Sequence, residues 1–401
     1  MSREATDKAL AAILPVAAEA VAEQADAKAA GRFPDRRFNL WEISKPVGEA
    51  LARLQEFSVD RGFVDFGGGG MSFHPSMFAP RFVQIAVERG VEAAFSWVEK
   101  VLHTRVAEAR CVCLVRGLKV AQAIPFANGK ITLVPFDALP ESDHKESERG
   151  KGYMFPGSAF PRDLPATAAL TAPVTVNELF IRDFSASPLR SLILELERVA
   201  NALSMVTGNA TLPEKGWAEY VDPDINAIAV GRSHYGGMEE IRPFFLQDHQ
   251  IDEALASKFI DGYLALPQDV RDLIDVAIKR LNHAMRRQNP MDKALDAAIG
   301  LEVLLGDKQD QGEITERLSR RGAILVGGDL AKRHETRQAI RHLYRFRSAV
   351  VHTGNVGGIS KKANPQEVTA KGIEIGLAAV HEIIALRSMP PWDEWELMGR
   401  A

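Results

Sequence analysis

Arg347 and His352, five residues apart in Arg347-Ser-Ala-Val-Val-His352, combine two side chains suited to phosphate chemistry. A guanidinium offers a planar fork of donors to phosphoryl oxygens, and an imidazole titrates near neutral pH. Their setting is the segment 331–352, AKRHETRQAIRHLYRFRSAVVH, whose apolar positions recur at helical spacing. Its inward stripe is expected to be Ile340, Leu343, Tyr344, Val350 and Val351. Arg347 stands on that stripe where a leucine would be ordinary. A second charge out of place, Glu302, interrupts the apolar helix KALDAAIGLEVLLG. The two are expected to face the bundle interior and to pair. Two readings follow. One is a buried ion pair that fixes helix register. The other is a carboxylate that orients Arg347 toward a phosphate. His352 precedes Thr353-Gly354, a helix stop, and a helix C-terminus favours imidazolium and raises its pKa, which suits a general acid–base.

A different face of the same helix is basic. Arg333, Arg337, Arg341 and Arg345 recur every four residues, and His352 falls in line with Arg341 and Arg345. Residues 329–347 hold six Lys/Arg against two Asp/Glu, in a chain of formal net charge −4. Any nucleic-acid surface is therefore a local patch, and this stripe is the place expected to hold a nucleic-acid backbone without reading its sequence. A solvated face paired with neighbouring acids would give the same pattern.

The elements that must position these residues are helical. Helices are expected near 252–265, 268–288, 291–306, 313–327, 331–352 and 365–388, punctuated by Pro267, Pro290, Gly306, Gly327–Gly328, Gly354 and Pro365. Short connections imply antiparallel packing as a bundle over 251–390, with 391–401 as a docked or frayed tail. Residues 1–250 read as an α+β domain. Helices are expected at 4–29, 82–106 and 189–207, and strands in CVCLVRGLKV, KITLVPF and APVTVNELFI. Trp217, Tyr220 and Phe244–Phe245 are placed in its last loops. The fold class is thus an α+β domain followed by an all-α bundle.

Several features point away from other functions. Cys111 and Cys113 lie two apart in an apolar strand, as small core side chains, and no thiolate zinc site can be built from them alone. The glycine run 67–70 lacks the Lys-Ser/Thr of a phosphate loop and reads as a turn. His74, His103 and His144 have no metal-like spacing, and Trp41, Trp217 and Tyr220 read as core. No apolar run is long enough for a membrane span, and Glu19, Glu23 and Asp26 interrupt the first helix, so a cytoplasmic protein with no membrane association is expected.

LYRFRSAVVHTG resembles the R-x4–6-H signature of HEPN domains. Together with ALDAAIGLEVLLGD and EITERLSRRGAILV, in this order over about residues 267–390, it resembles the Apea-like group of that superfamily. The resemblance implies a metal-independent endoribonuclease without a cofactor, acting as a homodimer with two motifs lining one cleft. It implies that His352 assists attack of a ribose 2′-OH or protonates the leaving oxygen, and that Arg347 stabilises the phosphoryl charge. The products would be a 2′,3′-cyclic phosphate and a 5′-hydroxyl. Ser348 follows the motif arginine, where many active members carry Asn, Asp or His; serine can still hydrogen-bond. By analogy residues 1–250 would be a sensor or regulatory domain, in an effector of bacterial anti-phage defence. A non-catalytic HEPN binding or dimerisation module, and an all-α DNA-binding domain using the arginine stripe, are the alternatives.

Overall fold

Rich in alanine and acidic in its first turn, the amino-terminal segment forms helix α1 (Glu4–Ala29). The computed structural model describes residues 3–30, 34–57, 62–67, 69–72, 74–150, 166–229, 247–307, 314–353, 364–398 and 400. Two short helices, α2 (Leu40–Ile43) and α3 (Lys45–Leu51), lead to a hairpin of β1 (Phe63–Asp65) and β2 (Gly70–Ser72), so the glycine run is a strand connection. The stretch expected as one helix over 82–106 is two, α4 (Pro75–Arg89) and α5 (Val91–His103). Gly90 separates them at φ +91°, which a residue without Cβ adopts freely, so the apolar periodicity restarts there.

The strand-rich part follows in the order β3 (Ala107–Arg116), β4 (Leu118–Lys119), β5 (Ile124–Phe126), β6 (Ile131–Pro135) and α6 (Asp143–Gly150). It continues with β7 (Ala168–Val176), β8 (Phe180–Ile181), α7 (Pro188–Thr207), β9 (Leu212–Tyr220), α8 (Pro223–Asn226) and β10 (His249–Gln250). Five strands pair antiparallel in the order β5-β6-β7-β3-β9. The alternation of β3 divides its side chains between two faces. Cys111 and Cys113 join the main core, where the Cys111 thiol lies 3.6 Å from the Leu189 carbonyl of α7. Val112 and Leu114 join a smaller cluster with Phe136, Ala169 and Trp217 on the other side. Burial raises the Cys111 thiol to about 12 and Cys113 well above its usual value, so neither is a nucleophile.

Trp217 and Tyr220 are not in loops. They sit in the edge strand β9, and both are buried. Its sequence, LPEKGWAEY, lacks a β-branched run, which hides the strand from propensity. Pro213 is tolerated because it lies at the edge beside a register shift, opposite Leu114–Val115. Gly216 is required by packing, since a Cβ there would come within 2.7 Å of Ile193 on α7. Phe244–Phe245 lie outside the described residues.

From residue 253 the described elements are helices: α9 (Glu253–Leu264), α10 (Gln268–Arg286), α11 (Pro290–Leu305), α12 (Ile314–Val326), α13 (Leu330–Thr353), α14 (Pro365–Leu386) and α15 (Trp392–Met398). Leu281 of α10 is met closely by Gly300 of α11 and Gly376 of α14, where Cβ atoms would stand 3.1 and 2.5 Å from its side chain. Glycine at both positions lets three helices approach. Helix α7 packs on the sheet with one side and on α9, α10 and α14 with another, and one continuous cluster of buried residues runs from Leu10 to Trp392. Asn282 of α10, fully buried, binds the Thr211 carbonyl at 2.8 Å and the Asn201 side chain at 2.6 Å. The architecture is mixed α and β.

Candidate functional site

Helix α13 carries the arginines, and its neighbours decide what each can do. Gly327–Gly328, both at positive φ, turn the chain from α12 into α13. That return sets Glu316, in the first turn of α12, beside the middle of α13. Its carboxylate binds Arg337 through one oxygen and Arg341 through the other; the Arg341 Nε bond measures 2.9 Å. The two central arginines of the stripe are therefore held by an acid of the same chain. Arg333 donates from Nε to the Gly328 carbonyl at 3.1 Å, and its side chain is exposed. Arg345 is exposed, with no partner among the described residues.

At the other end of α13 the packing partner is α11. Ile340, Leu343 and Tyr344 are buried as expected, but the inward stripe then continues through Phe346 rather than Val351. Phe346 is 1% exposed and Val351 52%. The buried face thus shifts round the helix towards its end, and the periodicity of its middle does not extend to Val351. Arg347 is correspondingly not a core residue: its side chain is 34% exposed, and that of Glu302 31%. Both lie on the rim of the bundle.

The expected pair is present in a loose form. Arg347 Nη2 stands 3.5 Å from Glu302 Oε1, at the limit of a hydrogen bond. Arg347 Nε is buried and has no hydrogen-bond partner. By contrast Arg116 grips Glu214 through two bonds of 2.7 and 2.8 Å. Tyr344, one turn before Arg347 on the helix, donates to the Ala298 carbonyl at 3.2 Å. Burial first, and the neighbouring Glu302 second, push its phenol up, so it stays protonated and can donate. Ser348 is exposed, and His352 lies in the last turn of α13, which ends at Thr353. The His352 side chain is outside the described residues.

Helix geometry places positions 347 and 352 about 140° apart around the axis and about 7.5 Å along it. One copy of α13 therefore brings Arg347 to Glu302 and Tyr344, and does not turn positions 347 and 352 toward a common point. Two residues of this neighbourhood were not singled out in the sequence: Tyr344 as a neighbour of Glu302, and Glu316 as the partner of the stripe. Glu316 had a signal, since it is the one acid of the first turn in ITERLSRRGAILV.

Two other histidines have local duties. His74 caps α4, its Nδ1 accepting from the Ser76 amide, and His103 Nδ1 donates to the Glu99 carbonyl at 2.7 Å. Among the described residues no group of three or more His, Cys, Asp or Glu side chains is arranged to hold a metal ion, and no helix is long and apolar enough to cross a membrane. Comparison of the chain with protein families, curated proteins and solved structures finds no match.

Proposed function

We propose that residues 251–390 form an all-α HEPN-type domain behind an α+β domain of residues 1–250, and that it is a metal-independent endoribonuclease. The observation that carries this reading is Arg347: a rim guanidinium, its side chain 34% exposed, steadied by one carboxylate at 3.5 Å. A guanidinium bound fully by acids would have nothing left for a phosphate. This one keeps donors to spare, and Glu302 limits its rotamers.

In the proposed reaction a ribose 2′-oxygen attacks the adjacent phosphorus and the 5′-oxygen leaves. The products are a 2′,3′-cyclic phosphate and a 5′-hydroxyl. His352 takes the 2′-OH proton or delivers one to the leaving oxygen, and Arg347 binds the phosphoryl oxygens as charge builds on them. Ser348 offers a hydroxyl to the same phosphate. The angular separation of positions 347 and 352 supports a homodimer, in which the arginine of one copy and the histidine of the other serve one cleft. Arg333 and Arg345, exposed at the two ends of the stripe, meet the RNA backbone. The resemblance supports a cytoplasmic role as a regulated effector of bacterial anti-phage defence.

The test is cleavage of RNA by the purified full chain in EDTA, with end-group analysis of the fragments. Cyclic phosphate ends that vanish in both Arg347→Ala and His352→Ala are expected. RNA left intact by a dimeric, folded preparation, or cleavage that survives both substitutions, refutes the assignment.

One observation favours a second reading, a non-catalytic HEPN binding or dimerisation module. Glu316 already pairs with both Arg337 and Arg341 and offsets part of their charge, in the middle of the surface that would hold RNA. In that case Arg347→Ala alters dimerisation and leaves no cleavage to lose.

A further inference from the structure

A cleft of about 550 Å³ opens on the side of the bundle where α10 passes into α11, between the α7–β9 turn and the first half of α14. Its size falls in the range that encloses a small organic ligand. The floor is aliphatic: Met285, Ile373 and Leu377, all half-buried and packed on the core. The walls are polar. Asn209, Gln288 and Gln366 bring carboxamides, which both donate and accept.

The charges of the cleft are unequally committed. Glu374 lines it but is bound by Lys371 at 2.9 Å, with Lys332 at 3.8 Å. Lys293 also lines it and has no ion-pair or hydrogen-bond partner among the described residues. The net offer to a ligand is one cation. Two helix starts support the same sign: Pro290 opens α11 and Gln366 stands in the first turn of α14, and both line the cleft.

We propose that this cleft binds a mononucleotide. A planar base fits the aliphatic floor, where the Met285 thioether makes favourable contact with an aromatic ring. Carboxamides pair with the donor and acceptor edges of a base, and Lys293 meets the phosphate. A bare inorganic anion would leave the floor empty, and an uncharged apolar molecule would leave Lys293 and the Gln288 and Gln366 amides without partners; the Asn209 Nδ2 already donates to the Thr207 carbonyl at 2.8 Å and offers its oxygen. The site stands apart from Arg347. Lys293 and Glu302 occupy opposite ends of α11, nine positions and about 14 Å apart along the axis. The inference does not rest on the nuclease reading.

Calorimetric titration of the full chain with AMP tests it, with adenosine and inorganic phosphate as separate arms. AMP is expected to saturate one site per chain, adenosine to bind at least roughly tenfold more weakly, and phosphate not to saturate or to displace AMP. Lys293→Met should weaken AMP roughly tenfold or more while leaving adenosine unchanged. Ala370→Trp, at an exposed position of the lining, should remove both without lowering the melting temperature. Absence of saturation by AMP up to millimolar concentration overturns the proposal. So does AMP binding that Lys293→Met leaves unchanged, or displacement of AMP by phosphate alone. Should Ala370→Trp fail to fold, the Lys293→Met comparison decides. RNA cleavage is not read in any arm, so failure here leaves the proposal for Arg347 standing.

Discussion

Helix α13 contains two kinds of arginine that look alike in sequence. In its middle, Arg337 and Arg341 share the two oxygens of Glu316. Near its end, Arg347 reaches a single carboxylate at 3.5 Å, and Arg345 is exposed without a partner among the described residues. The difference comes from the neighbouring helix rather than from the arginines. Helix α12 starts beside the middle of α13 and supplies an acid there, while near the end of α13 the acid comes from α11, where Glu302 approaches Arg347 only to 3.5 Å. Periodicity alone therefore overstates a basic surface, because it counts charges that a neighbour has already balanced.

The largest expected effect is on cleavage. Arg347→Ala and His352→Ala should each lower the RNA cleavage rate by at least about 100-fold, the scale of losing a charge stabiliser or a general acid–base. Arg341→Ala, which removes an arginine already paired, should lower it by less than about threefold. Equal losses at 341 and 347 would erase the distinction between the two parts of α13.

Stability provides the next contrast. Arg321 of α12 is truly interior, 4% exposed at its side chain, with bonds to Glu396 at 2.7 Å and the Leu305 carbonyl at 3.0 Å. Its guanidinium also lies over Trp392, which pins α15 to the bundle. Arg321→Ala should destabilise by about 3 kcal/mol, by leaving the Leu305 carbonyl unpaired and Glu396 with Arg320 alone, and by loosening that helix. Arg347→Ala, at a rim pair one-third exposed, should cost no more than about 1 kcal/mol. Denaturant titration of the two variants measures this directly. A large loss for Arg347→Ala would favour the structural reading of the Glu302 pair.

A smaller effect is expected where the stripe is released. Glu316→Gln keeps the side-chain shape and frees Arg337 and Arg341, so single-stranded RNA should bind several-fold more tightly, with a steeper salt dependence. The fold should change by within about 1 kcal/mol, because the pairs are about one-third exposed and screened by water. Unchanged RNA affinity at low salt would mean that the stripe is a solvated face and no part of a binding surface.

How much of this was legible in sequence depends on what decides each feature. The helices from α9 to α14 were readable to within two or three residues at each end, because Pro267, Pro290, Gly306, Gly327–Gly328 and Pro365 mark their boundaries. The partnership of Glu302 and Arg347 was readable from two charges on apolar helices. Its strength was not, since that depends on the crossing of α11 and α13. Val351 was expected inside and lies outside, since periodicity along one helix does not say how far its neighbours cover it. Strand β9 was missed because its conformation comes from pairing with β3, and its composition does not favour a strand. The cleft around Lys293 draws on three separate stretches of chain, and no local pattern announces such a place.

The smallest expected effect lies far from α13, on the face of the sheet that α6 covers. Trp217 donates to Glu219 at 2.8 Å, and His144 of α6 stacks on its ring with centroids 5.4 Å apart. Lys215 pairs with Glu148 beside them. Burial, the largest cause, lowers the His144 pKa below its usual 6.5, although Glu219 acts in the opposite direction and Lys215 adds to the lowering. The unfolded chain therefore takes up this proton before the folded one does. Stability from a neutral His144 is fully present above about pH 6.5 and is lost as pH falls through the folded pKa, below which it changes no further. His144→Phe keeps the ring on Trp217 and removes the proton. Melting curves between pH 8 and pH 5 should show the wild type losing more than this variant, with the gap opening below about pH 6.5. All other carboxylates titrate in both proteins and cancel in the difference. Parallel curves would mean that α6 is held by Lys215–Glu148 and the apolar cluster alone.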